Sequence, residues 1–211
     1  MPLRKILLIA GLVISVLILG RVEHRPVRSA QLQNDLQSKA LTFDIDLIQE
    51  GDIILRKGDS VLSHLIARNL APADDMSHCG MIFRVDGRLQ VIHTISKAIS
   101  DIDGIRINTI EDFITEAASG HYCIVRYQKP LGIKTMKSEA LHLLKQRVPF
   151  DHDFDLETSS HLYCTELIRV LFLKSGEQDF FSKRKVLGKQ ILDFAPFFNP
   201  NHFETVYASK R

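Results

Sequence analysis

Neither sign of charge prevails in this sequence. Its 27 basic residues face 25 acidic ones, for a formal charge of +2, which leaves no broad basic face of the kind duplex DNA requires. Nucleic acid is therefore not an expected partner. Paired cysteines are lacking as well: Cys79, Cys123 and Cys164 are odd in number and show no C-x-x-C spacing, which excludes a zinc ribbon, a thioredoxin-like dithiol and a disulfide framework. With 211 residues, 45% of them hydrophobic, a single domain can bury its own core without such staples. At least one thiol is expected to be free, while a Cys79–Cys123 disulfide stays open for an exported protein. No internal repeat or low-complexity tract is present.

What the sequence does have begins at its N-terminus. Arg4 and Lys5 precede an apolar run from Ile6 to Leu19, ended by Gly20 and Arg21. Residues 1–22 read as an export signal or a membrane anchor; small residues of the A-x-A type are missing where a signal peptidase would cut, which favours an uncleaved anchor, with Leu3 and Val22 extending the span. No lipidation cysteine follows. Basic residues flank the run on both sides, so the positive-inside rule does not orient it. The expected side for the body is the periplasm or cell exterior, because long domains translocate largely regardless of such charges. Residues 23–46 are polar, with Leu32, Leu36 and Ala40 at helical spacing, and read as a stalk. Residues 47–211 read as the folded domain.

Within that domain Asp52 to Arg56 is a strand candidate after a Gly-Asp turn, and Ser60 to Asn69 a helix that ends before Pro72. Cys79 to Val85 and Arg88 to Ile95 are β-rich runs joined by Asp86-Gly87, a strong two-residue hairpin signal. Thr109 caps an amphipathic helix with Ile110, Phe113, Ile114 and Ala117 on one face. Tyr122 to Gln128 reads as a strand. Lys134 to Arg147 and Cys164 to Lys174 read as helices, stopped by Pro149 and Gly176. Helices mixed with an antiparallel sheet make an α+β fold.

The hairpin has a chemical consequence. If Val85 lies opposite Arg88, His78 falls opposite Ile95, and His93 becomes its diagonal neighbour on the same face, within reach of a second imidazole. Cys79 then points to the other face, into the core. A base with an orienting partner has this geometry, and so do two polar residues on a solvent face. Cys164 stands where the polar segment Glu157 to His161 gives way to an apolar helix. A cysteine in a first helical turn gains thiolate character from the dipole and free N–H groups. A buried structural cysteine would occupy the same place.

Gly51-Asp52-Ile53-Ile54, Ser77-His78-Cys79-Gly80-Met81, Val91-Ile92-His93, Phe150-Asp151-His152-Asp153-Phe154 and Tyr163-Cys164-Thr165-Glu166-Leu167 resemble, in order, the YiiX/YaeF-like circularly permuted papain-fold amidases. These belong to the NlpC-type superfamily and are distant relatives of lecithin–retinol acyltransferase. The resemblance spans Gly51 to Phe194. It implies Cys164 as nucleophile, His78 as general base and His93 as the third polar residue, where many members of that family carry glutamate. Tyr163 is a candidate for shaping the oxyanion site beside the Cys164 N–H, and Asp52 is structural.

Other constellations carry less. Gly58-Asp59-Ser60 with Asp75-x-x-His78 suggests a GDSL-type serine hydrolase, but the two blocks are too close together and no alternating βα pattern surrounds them. Asp151, His152, Asp153, Asp155 and His161 have metal-binding chemistry, but their alternation with Phe150 and Phe154 fits a turn with solvated aspartates. Lys183, Arg184, Lys185 and Lys189 form a small basic run suited to water or lipid headgroups. Phe180, Phe181, Phe197 and Phe198 suit either a core or a membrane-facing rim. The resulting expectation is a cofactor-free, monomeric cysteine hydrolase of the envelope, cleaving an amide or ester in a cell-wall peptide or a lipid. A lipid acyltransferase or thioesterase, and a non-catalytic binding module, are the alternatives.

Overall fold

A computed structural model describes residues 43–209, except positions 72, 99, 157, 159 and 187. The anchor expected over 1–22 lies outside the described residues, as does most of the expected stalk. Among the described residues no helix is long and apolar enough to cross a membrane.

The body is α+β. Its main sheet contains β1 (Ile53–Arg56), β2 (His78–Val85), β3 (Arg88–Ile95), β4 (Gly104–Thr109), β5 (Tyr122–Tyr127) and β8 (Phe203–Ala208), in the order β4-β3-β2-β1-β5-β8. Every neighbouring pair is antiparallel. A separate ribbon pairs β6 (Lys183–Val186) with β7 (Lys189–Leu192). The helices are α1 (Val61–Leu70), α2 (Ile110–Thr115), α3 (Ile133–Gln146) and α4 (Cys164–Lys174).

Local chemistry explains the ends of these elements. Asp86 and Gly87 both take positive φ, 49° and 79°, which closes a two-residue turn whose twist matches the strands and sets Val85 opposite Arg88. The Thr109 hydroxyl accepts the Asp112 N–H at 3.0 Å and starts α2. Ser60 does the same for α1 through Ser63. α3 ends at Arg147 in the left-handed region, just before Pro149.

Both faces of the sheet are covered, which is why β1 reads as the unbroken apolar run Ile53-Ile54-Leu55. Pleating sends alternate residues to two cores. Cys79, Met81, Phe83, Ile53 and Leu55 pack with α3 and α4 through Met136, Leu167, Leu171 and Phe172. Ile54, Ile82, Val91 and Ile124 pack on the opposite side with Ile110 and Phe113 of α2. Phe181 and Phe197 are buried in the first core, with Phe180 and Phe198 packed against it, so these rings form core and not a rim. The basic run lies exposed on the ribbon β6–β7, whose Ile191 and Leu192 are buried in the first core.

The cysteine pairing left open by the sequence is corrected here. All three cysteines are free. Cys79 and Cys123 both pair with Leu55, from opposite sides of β1, which sets their Cα atoms two strand spacings apart, about 9.5 Å. A disulfide tolerates no more than about 7 Å.

Candidate active site

α4 begins at Cys164 with Tyr163 as its N-cap, and no side chain caps it. Its first N–H groups are therefore available, and one of them, from Thr165, donates to the Cys164 sulfur. The position of this helix start is tied to the sheet. The Thr94 hydroxyl on β3 donates to the Leu162 carbonyl at 2.9 Å, and the Leu192 N–H donates to the Tyr163 hydroxyl at 3.0 Å. Tyr163 is 2% exposed, and its hydroxyl braces β7 against the start of α4.

On the Cys164 side of the sheet the group that acts most on the thiol is Cys79. Its thiol and its backbone N–H both donate to the Cys164 sulfur. Those donated hydrogen bonds, the thiol of Cys79 foremost, hold the Cys164 pKa below its ordinary value against the opposing effect of burial. Burial and the same hydrogen bond push Cys79 well above its own. One thiol of the pair is thus poised to ionise and the other to stay protonated.

The histidines occupy the opposite face. His78 Nε2 and His93 Nδ1 are 2.8 Å apart, and the His93 Nε2 lies 2.9 Å from Asn108 Oδ1 on β4. Both rings rest on Phe113, His78 stacked at 5.5 Å and His93 edge-on at 5.1 Å between centroids. The close approach depends on Gly80. A Cβ there would stand 2.9 Å from His93 Cβ and 2.5 Å from Val91 Cγ1, nearer than strands permit.

Around the imidazoles runs an ion network. Arg56, 3% exposed, lies over the Phe113 ring at 4.4 Å. It donates to the Phe113 carbonyl and to Glu116, each at 2.6 Å. Arg106 donates to the other Glu116 oxygen at 2.7 Å. Two cations against one carboxylate leave a net positive surrounding. Burial, and then the Arg56 charge, hold His78 well below its ordinary pKa. Burial chiefly brings His93 to about 3. Both rings are neutral at pH 7.

The two faces meet at the first residue of β2. His78 and Cys164 line one cavity of about 210 Å³, together with Arg56, Ser77 and Glu116. Ile66, Leu70, Ile95, Phe150, Phe154 and Phe194 form its apolar walls. The hairpin reading thus placed the two histidines side by side as the structure has them, and Cys79 in the core. Arg56, Asn108, Arg106 and Glu116 were not singled out from the sequence, because each is brought in by a neighbouring strand or helix. Ser60 and His78 of the serine-hydrolase blocks line this same cavity, but their side chains are otherwise engaged. Ser60 and Ser63 bond each other at 2.9 Å at the start of α1, and Asp75 pairs with Lys57.

The chain resembles a known fold from end to end of its body. The crystal structure of the metalloprotein YiiX from Escherichia coli O157:H7 aligns with a TM-score of 0.61 at 18% identity, covering 77% of this chain and 98% of that one. Metal ligands do not assemble here from the acid and histidine cluster. Asp151 accepts the N–H groups of Asp153 and Asp155 at 2.8 and 2.6 Å, His152 turns to Asp103 at 2.8 Å, and no group of three candidate ligands is found among the described residues. A search of curated proteins found no match. The family described as permuted papain-like amidase enzymes, YaeF/YiiX, C92 family, matches residues 47–209. Spanning the whole packed body, that match makes the chain a member of the permuted papain-like amidases and a thiol-dependent hydrolase.

Proposed function

We propose that Cys164 is the nucleophile of this hydrolase, His78 its general base and His93 the residue that orients the base. In the proposed cycle His78 takes the Cys164 proton through Nδ1 and keeps its Nε2–H on His93. The sulfur attacks the carbonyl carbon of an amide or ester, and the uncapped N–H groups at the start of α4 hold the oxyanion. His78 returns the proton to the leaving group. Water, deprotonated by His78, then breaks the acyl-enzyme and restores the thiol.

The observation that carries this reading is the shared cavity, with a thiol whose pKa is lowered on one wall and a neutral, hydrogen-bonded imidazole on another. A neutral base beside an ionisable thiol is what general-base activation needs. Tyr163 serves as a brace in this scheme, since its hydroxyl already accepts from Leu192. The apolar walls favour an acyl group with a hydrocarbon portion, whether from a lipid or from a cell-wall peptide side chain. The apolar N-terminal run favours a substrate of the envelope.

Iodoacetamide labelling of each cysteine across pH, read by peptide mass spectrometry in the wild-type protein and in His78→Ala, tests the assignment. Cys164 is expected to label fastest below pH 7 and to slow by about tenfold or more in the variant. Equal, slow labelling of all three cysteines would replace catalysis with a binding-module role.

A further inference from the structure

We propose that Asn108 is a positioning residue that fixes the tautomer of His93, and through it the tautomer of His78, in competition with Arg106. This rests on the assignment of His78 as base but concerns a separate physical property, the location of protons on two buried rings.

His93 is fully buried, and its Nε2 has two suitors. Asn108 Oδ1 stands at 2.9 Å and accepts only. Arg106 Nε stands at 3.2 Å and, as a guanidinium, donates only. A neutral imidazole carries one N–H, so the two contacts are mutually exclusive. If Asn108 prevails, His93 is protonated at Nε2, its Nδ1 accepts the Nε2–H of His78, and His78 Nδ1 keeps its lone pair. If Arg106 prevails, every proton in the relay moves to the other nitrogen, and His78 holds a proton at Nδ1. In that state the base is blocked.

The distances favour Asn108, 2.9 Å against 3.2 Å, while Arg106 is held in place independently of His93 through its terminal nitrogens, Nη2 on Glu116 at 2.7 Å and Nη1 on the Ser100 hydroxyl at 3.2 Å. The strand register places both competitors around the same ring: Arg106 lies opposite His93, and Asn108 lies opposite Val91, one diagonal step away. The charged and titratable groups around the relay are Arg56, Arg106, Glu116, Cys79 and Cys164. None of these supplies the acceptor that His93 Nε2 needs.

The test uses ring nitrogen spectra of ¹⁵N-histidine-labelled protein at pH 7, assigned with His78→Gln and His93→Gln, alongside Cys164 alkylation. The wild type is expected to show Nε2–H on both rings. Asn108→Leu should move both protons to Nδ1 and slow Cys164 alkylation by about tenfold or more. Asn108→Asp should keep Nε2–H, restore alkylation and move its acidic limb to higher pH, because a carboxylate stabilises the imidazolium. Arg106→Leu, which removes the competitor, should keep Nε2–H and serves if the leucine variant at 108 does not fold. Nδ1–H in the wild type or in Arg106→Leu, or unchanged Nε2–H in Asn108→Leu, would overturn the proposal. Alkylation indifferent to His78→Ala, with tautomers behaving as stated, would instead sink the catalytic assignment and leave the role of Asn108 intact.

Discussion

The two faces of the central sheet are built on different principles. The face under α3 and α4 is a hydrocarbon core that carries the thiols, Cys79 and Cys164 among Met81, Leu167 and Phe172. The face under α2 carries a smaller apolar cluster and, next to it, two imidazoles and Arg56 on a single phenylalanine ring, with Glu116 bridging Arg56 to Arg106. A thiol gains reactivity from helix N–H groups, which a dry core can supply. A base needs its tautomer and charge set by hydrogen bonds, which only a polar cluster supplies. On the proposed assignment of nucleophile and base, separating them lets each be tuned without compromising the other.

The sharpest way to break this division is to remove one member from each face at adjacent positions. In acylation by p-nitrophenyl acetate, His78→Ala is expected to lose about 10²- to 10⁴-fold. Cys79→Ala should lose about tenfold, since the α4 N–H groups remain to hold the thiolate. Equal losses would show that the faces do not divide the labour as described. Next in size is Gly80→Ala. Its Cβ would press on His93 and Val91 of the next strand, so thermal unfolding should report about 1–3 kcal/mol of destabilisation together with a loss of acylation. A variant as stable and active as the wild type would mean the imidazoles need no such close approach.

The gentlest test is the pH dependence of stability, where the faces are expected to pull in opposite directions. His93 binds its proton near pH 6.5 when unfolded but at about 3 when folded, so the unfolded state holds more protons in that window and stability falls as pH drops below 6.5. Glu166, in the first turn of α4, is driven to about 8 by burial, with Asp151 adding to it. Here the folded state holds the extra proton, so stability falls as pH rises from 4.5 to 8. Chemical denaturation across pH should show His93→Gln flattening the acid side and Glu166→Gln flattening the alkaline side, each by at most about 5 kcal/mol. Slopes of the same sign would contradict the burial of one group or the other.

Much of this was legible before any coordinates. The Asp86-Gly87 turn fixes a register by itself, and the register sets His78 beside His93 and turns Cys79 inward. The start of the last long helix at Cys164 follows from a switch in hydropathy. Other parts are tertiary. That β1 borders β2 and β4 borders β3 is a matter of sheet order, and this order alone delivers Arg56 and Asn108 to the rings. That Cys164 sits on the Cys79 side depends on which face α4 covers. β6 and β7 escaped notice because they are four residues long and largely polar, whereas β4 does alternate, Ile105-Arg106-Ile107-Asn108, and was overlooked although it carries the half-buried pattern.

The meeting of the two faces at His78 and Cys79 makes chemical identity a matter of parity. A slip of one residue between β2 and β3 would present a thiol to His93 and push an imidazole into hydrocarbon beneath α4. Nothing near the cavity counts residues. The counting is done at the far end of the hairpin, about 24 Å along the strand, where two residues with positive φ admit one pairing of Val85 with Arg88. A tight surface turn, remote from any substrate, thus decides which atom faces the reaction.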